Sequence, residues 1–450
     1  MLEEEGPLSG AFHFLSVARP RVESMFELPV VGPDADEAAL VAHIGALETL
    51  KAQAAAAQAR ATAQLVQSRH AAEAARGVSA TRRGRGLATE VALARRDAPA
   101  RGGRHVGFAT ALVQEMPHTL AALESGVLTE WRATLIVRES ACLSVEDRRA
   151  LDAELCADQG ELAGWGDGRV AAEAKSIAYR LDPHAVVDRA ANAQQDRRVT
   201  IRPAPDTMTI VTALLPVDQG VSVYAALKRE ADTTGDGRSR GQIMADTLVE
   251  RVTGGSAAAP TPIAVNLVLP EDALIGGNTP AVISDYGPVP SEIACRLIDA
   301  AAGDAESTAT LRRLYASPAS GALVAMESRA RIFPKGLARL IRLRDQRCRT
   351  PFCDAPIRHI DHAEGASSTG ATSALNGEGL CEACNYAKQA DGWQVHTWLD
   401  RCGTHTAEFV TPTGARYRST APPVVPTPRP GRVSMVEERL RSELYPRHAA

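Results

Sequence analysis

The sequence predicts an α+β protein: a mostly helical N-terminal region with a small mixed sheet, then a compact C-terminal unit stapled by a metal knuckle. Three observations predict it. Apolar residues recur at helical spacing from residue 34 to about 158. From Arg198 short apolar runs replace them, VTIRP and MTIVTALL around a Pro-Ala-Pro-Asp turn. Four of the eight cysteines fall between 348 and 384, as a Cys-x4-Cys pair and a Cys-x2-Cys pair.

A chain of 450 residues has room for two to four domains at roughly 100–200 residues each. With 45% hydrophobic and 23% charged residues, it can bury a core. The net charge of −4 argues against a strongly basic nucleic-acid protein, although a local basic strip can bind phosphates by itself. The N-terminal MLEEEGPLSG has neither the basic nor the apolar region of a signal peptide, and no run reaches about 18 apolar residues. The expected location is cytoplasmic, where thiols stay reduced.

The elements follow in order. Residues 1–33 read as an N-terminal arm, 34–327 as one helical to α+β domain, 328–400 as the metal-stapled unit and 401–450 as a polar, Pro-rich tail. After Pro33-Asp34 a long helix, or two joined helices, runs to about Arg76, with Leu40, Ile44, Leu47 and Leu50 as its apolar face. The Ala tract that follows favours helix but offers a weak core face. Residues 77–105 carry RRGRG, ARR and RGGR, either a solvated connector or a phosphate-binding surface. Helical periods resume at 87–97, 104–115, 118–125, 128–139 and 145–158, with Trp131 as a core anchor. Beyond the two strands, helices are expected at 217–232, 239–252 and 291–301, and strands at 263–269, 308–315 and 321–327. FPKGLARLIRLRDQRC reads as a helix with Leu337, Leu340 and Ile341 on its apolar face. Its stripe of Lys335, Arg339 and Arg342, followed by Arg347 and Arg349, is either a solvated face or a set of nucleic-acid contacts. Residues 421–431 read as linker and 434–444 as a terminal helix.

The chemistry concentrates between the cysteine pairs. Two short-spaced pairs in a reducing compartment read as a tetrahedral zinc site of Cys348, Cys353, Cys381 and Cys384. Cys142, Cys156, Cys295 and Cys402 are scattered and read as packing residues. Four thiolates leave zinc no open position, so catalysis must lie in the residues that the knuckle holds. Those are Asp361 and His362 in HIDHAEG, Asn376, Asn385 and Lys388. On a strand, Asp361 and His362 point to opposite faces, and a bend would let the carboxylate meet a metal while the imidazole meets a water. Asn385 could equally cap a helix, His359 reads as a surface or supporting histidine, and Trp393 reads as core.

The runs CRTPFCDAPIRHIDH and LNGEGLCEACNYAK resemble the HNH endonuclease motif, with a DH first element and Asn in third place. The resemblance implies a ββα-metal module on a treble-clef-like zinc knuckle. In it His362 is the general base, Asp361 and Asn385 bind one divalent cation, Asn376 braces the loop and Lys388 lies near the scissile phosphate. Asn in third place favours an oxygen-liganded ion, Mg2+ or Mn2+. Residues 34–315 resemble the DUF222 region that precedes HNH modules in the 13E12-repeat family, through DRRVTIRPAPDTMTIVTALLP, GRSRGQIMADTLVERVTG, IAVNLVLPEDALIGG and YGPVPSEIACRLI. That part of the resemblance implies no activity. The expected function is a metal-dependent endonuclease acting on double-stranded DNA. The alternatives are a catalytically silent zinc-containing DNA-binding protein and a regulatory or scaffold protein led by its helical region.

Overall fold

The first helix, α1 (Glu37–Ala75), starts on Asp36, whose carboxylate accepts from the Ala39 N–H. Its packing reverses the expectation. Leu40 and Ile44 are exposed, and the Ala tract supplies the buried face through Ala52, Ala55, Ala56, Ala59 and Ala63. Small side chains let a neighbouring helix approach closely, and here α3 (Gly102–Gln114) does so with Phe108 and Leu112. This is a computed structural model, and it describes residues 31–255, 267–268, 279–283, 287–303, 327–328, 333–365, 371–401 and 403–423. The expected arm before residue 31, most of the strand at 263–269, those at 308–315 and 321–326, most of the linker and the helix at 434–444 lie outside the described residues.

Around α1 and α3 pack α2 (Leu87–Ala94), α4 (Pro117–Glu124), α5 (Glu130–Glu139), α6 (Val145–Cys156), α7 (Asp167–Leu181) and α8 (Pro183–Ala193). The core is Leu112, Met116, Leu123, Leu128, Ile136 and Leu151, all essentially inaccessible. Asp152 on α6 is fully buried and accepts from the N–H groups of His118 and Thr119, the orphan donors of α4, whose Pro117 cannot donate. Trp131 is not an anchor: it is 55% exposed on the outer face of α5.

Strands β1 (Arg198–Ala204) and β2 (Met208–Leu214) form an antiparallel hairpin. Asp206 and Thr207 both take positive φ at its tip, as a tight hairpin turn demands. Helices α9 (Val217–Thr233) and α10 (Arg240–Thr253) pack together, the second opened by a Ser239–Gln242 capping box. Strands β3 (Leu267–Val268), β4 (Ala281–Ile283) and β5 (Gly287–Val289) make a small sheet before α11 (Ser291–Gly303). Every strand pair among the described residues is antiparallel, so the expected mixed sheet is corrected to small antiparallel sheets.

The C-terminal unit begins with β6 (Glu327–Ser328) and α12 (Lys335–Asp345), which buries Leu337 and Ile341. It continues through β7 (His359–His362), β8 (Thr372–Ser373), β9 (Gly377–Leu380) and α13 (Glu382–Lys388). It closes with a three-stranded sheet of β10 (Gln394–Leu399), β11 (His405–Val410) and β12 (Arg416–Thr420). The unit therefore extends past residue 400: the expected boundary there cuts the β10–β11 hairpin, and β11 is buried along its whole length.

The helical region is docked onto this unit. Glu90 on α2 is 4% exposed, accepts from the Thr413 N–H and hydroxyl, and pairs with Arg69 at 2.8 Å. Leu93 packs on Ala390 and Trp393. No helix among the described residues is long and apolar enough to cross a membrane.

Candidate active site

The cysteines converge. The Sγ atoms of Cys348, Cys353, Cys381 and Cys384 all lie within 4.8 Å of one another. The chain reverses between the first two at Phe352, which takes φ 62° and brings Cys353 N–H back to Thr350 O. The second pair opens α13, with Cys381 at its N-cap accepting from the Cys384 N–H. A tetrahedron of about 2.3 Å zinc–sulfur bonds has sulfur edges of about 3.8 Å. Here Cys353 and Cys381 are 3.8 Å apart and Cys384 and Cys353 3.7 Å, nearly twice a disulfide bond of about 2.05 Å. The cluster can hold a structural metal such as zinc.

Strands β7 and β9 pair antiparallel, with Asp361 opposite Glu378 and His362 opposite Gly377. Gly377 is required there, because a Cβ would lie 2.4 Å from Ile341 Cδ1 and 3.0 Å from Ser373 O. Buried Arg344 and Asp345 at the end of α12 fix β9 from behind: Arg344 donates to Gly377 O, and Asp345 accepts from the Gly379 N–H at 2.7 Å.

Asp361 and His362 diverge as strand alternation dictates. The His362 ring sits 4.5 Å from that of Phe333, and its Nε2 bonds Thr372 Oγ1 at 2.8 Å. The Asp361 carboxylate turns toward α13, where Lys388 Nζ lies 3.1 Å away. Lys388 also donates to His362 O at 2.6 Å and to Glu378 Oε1 at 2.8 Å. It is thus a buried cation tying three elements together, a role that the sequence did not reveal. Glu378, the acid opposite Asp361, was also missed: it is fully buried, and its Oε2 has no hydrogen-bond partner.

Asn376 braces the loop after β7. Its Oδ1 accepts from the Glu364 N–H, and its Nδ2 donates to Glu364 O and Ala371 O. Asn385 lies inside α13 rather than at its cap, which Cys381 occupies. It is 8% exposed, and its side-chain Oδ1 has no hydrogen-bond partner. Lys388 is three residues on and shares its helix face, the face that meets Asp361. A buried amide oxygen left bare normally costs about 1–3 kcal/mol, so its neighbourhood suits an absent electropositive ligand.

The basic stripe is only partly on the surface. Lys335, Arg339 and Arg342 are exposed, and Arg347 is half-buried. Arg349 is 2% exposed and donates to His405 O and Ser419 O, so it is a core residue and not a nucleic-acid contact. His359 is half-buried, with Tyr386 as its ring neighbour at 6.4 Å, and Trp393 is buried at the seam with α2.

The profile of a family described as "Domain of unknown function (DUF222)" matches residues 44–345. The chain belongs to the DUF222 family. The DUF222 match runs from within α1 through the last residue of α12 and stops before Cys348, so the cysteine cluster and the Asp361–His362 strand lie beyond it. No curated protein and no solved structure matches this DUF222 chain.

Proposed function

We propose that the unit from residue 333 to 423 is an HNH-type ββα-metal endonuclease module that hydrolyses phosphodiester bonds in DNA, stapled by zinc on its four cysteines. The observation that carries this reading is the bare, buried Asn385 Oδ1, on the helix face whose Lys388 grips Asp361. On this reading Asp361 and Asn385 would supply two oxygen donors, a hard set that suits Mg2+ or Mn2+. When bound, such a cation supplies charge stabilisation at the phosphate and the leaving oxygen.

The chain's own residues do the rest. Thr372 fixes the His362 ring through Nε2, and the imidazole is the base that takes a proton from the attacking water. Lys388 holds the Asp361–His362 step from both sides, by the carboxylate of one and the carbonyl of the other. Asn376 keeps the following loop closed beside the base. A catalytically silent DNA-binding module is the second reading, favoured by the Lys388 ammonium already balancing Asp361.

Nicking of supercoiled plasmid by the full chain with Mg2+ or Mn2+ tests this. Cleavage is expected to stop with chelator and to fall at least 100-fold in His362→Ala and Asn385→Ala, on the scale of a lost general base. Unchanged cleavage in His362→Ala rejects the assignment. Binding without cleavage under either metal selects the silent module.

A further inference from the structure

The connector between α1 and α3 has an unusual charge. Residues 77–105 contain seven arginines and only two acids, in a chain whose net charge is −4. Both acids are already committed: Glu90 to Arg69 and Thr413, and Asp97 to Arg101 and His105. Arg82, Arg85, Arg96 and Arg104 are exposed, and none forms an ion pair with a described residue. Ordinary solvated faces mix the two signs; here the acids are withdrawn and the guanidiniums left outside.

The connector also lies against the helix that carries Asn385 and Lys388. Gly86 takes φ 78°, and a Cβ there would sit 2.5 Å from Trp393 Nε1, 3.1 Å from Ala390 Cβ and 3.2 Å from Ala387 O. The short turn Pro99–Arg101 packs on α13 as well. Arginine-bearing segments therefore reach α13 at two points, and Ala387 is the immediate neighbour of Lys388. Arg85 adjoins Gly86, and Arg82 is four residues away, so its Cα lies within about 14 Å of that contact. At about 3.4 Å per nucleotide along one strand, that is about four nucleotides.

We propose that this arginine connector of the helical region, including Arg82 and Arg85, is a phosphate-binding surface for duplex DNA that continues the site on α13. The choice of partner rests on the nuclease reading; the surface itself rests on the unpaired arginines and their contact with α13. It gives the DUF222 portion a share in substrate binding: it grips the backbone a few nucleotides from the reacting phosphate, without reading sequence.

The test is duplex affinity measured by fluorescence anisotropy at several salt concentrations, using full-length His362→Ala protein so that no strand is cut. R82A/R85A in that background is expected to bind about 10- to 100-fold more weakly at 0.1 M salt, with a log–log salt slope shallower by about two. R82K/R85K is expected to keep most of the slope, because lysine neutralises a phosphate as a point charge. R202A/R229A removes two exposed arginines from β1 and α9 and is expected to change neither quantity. An unaltered circular dichroism spectrum and Tm confirm that each variant is folded. The proposal is overturned if R82A/R85A keeps the parent's slope, if R82K/R85K is as weak as the alanine pair, if the control pair loses as much, or if the parent binds no duplex. Arginine-dependent binding by a protein that never cleaves keeps the surface and rejects the nuclease; His362-dependent cleavage with unchanged R82A/R85A binding does the reverse.

Discussion

Replacing Lys388 by Met would separate a structural cation from a dispensable one. Its side chain is 8% exposed, with the Glu378 carboxylate at 2.8 Å, the His362 carbonyl at 2.6 Å and Asp361 at 3.1 Å. Met keeps the length and loses the charge. Glu378 is then a carboxylate with no exposure, one oxygen already bare and the other newly so. Breaking a buried pair in this way costs about 3–5 kcal/mol, because the survivor loses its counter-charge where water cannot reach it. Asp361, about a third exposed, adds little. At about 1.4 kcal/mol per decade, opening of the β7–β9 pair should become two to four orders of magnitude more frequent. Hydrogen exchange of peptides covering 359–380 in the zinc-loaded full chain reads that opening directly. Adding Glu378→Gln removes the stranded charge and should recover at least 2 kcal/mol, which is the coupling between the two sites. Exchange accelerated less than tenfold, or a double variant as fast as the single one, would refute the account of Lys388 as the partner of a buried acid.

Three further outcomes are expected. A strong zinc chelator, or Cys384→Ser, should strip the metal and release exchange protection across 333–423, leaving the helical core of α3 to α7 protected; on the order of 10 kcal/mol of folding energy rests on that ion. Metal analysis beside exchange checks this. Glu90→Gln should weaken the seam between α2 and the C-terminal unit by about 1 kcal/mol, since the charge-assisted bonds from Thr413 become neutral ones while Arg69 loses its counter-charge, and faster exchange at 411–417 would register it. Burial holds His405 down to about 4 from its ordinary 6.5, and Nε2 donates to Leu375 O. The folded state therefore binds this proton less readily than the unfolded chain. The stability this provides is complete above about pH 6.5 and is lost as pH falls toward 4, by about 2 kcal/mol between pH 7 and pH 5. In His405→Gln that drop should disappear from strand 405–410 once exchange is corrected for intrinsic rates; zinc release, common to both proteins, cancels in the comparison.

The sequence carried what local rules encode. Helices α1 to α6, α9 and α10 follow from apolar spacing, and the β1–β2 hairpin from its turn. The cysteine cluster follows from pair spacing, since two short loops can each present two sulfurs to one ion. The readings that failed needed partners from afar. Arg349 looks like a surface cation until β11 and β12 cover it with carbonyls from Ser419 and His405. HTAEFV and RYRST look polar, yet every residue of β11 is buried, because β10 and β12 flank it and Ala407 and Phe409 pack on the cysteine knuckle. Leu40 and Ile44 look like a core face, but the alanines downstream meet α3 and the leucines do not. Helices α7 and α8 went unread in a stretch where alanine supplies most of the apolar positions. Glu378 looks like an ordinary surface charge and Lys388 like a neighbour of a bound phosphate, and only the β9–α13 geometry pairs them out of water.

The seven residues of α13 are anchored at both ends and along the flank. Cysteines fix the start, a lysine spans to β7, and a glycine-lined seam presses on the finish. A rod clamped at three points has no hinge to close over a bound strand. If the proposed nuclease reading holds, any distortion that lines up a backbone bond with His362 must be made by the nucleic acid itself, so flexible steps, nicks and unpaired junctions should be attacked before stiff, regular helix.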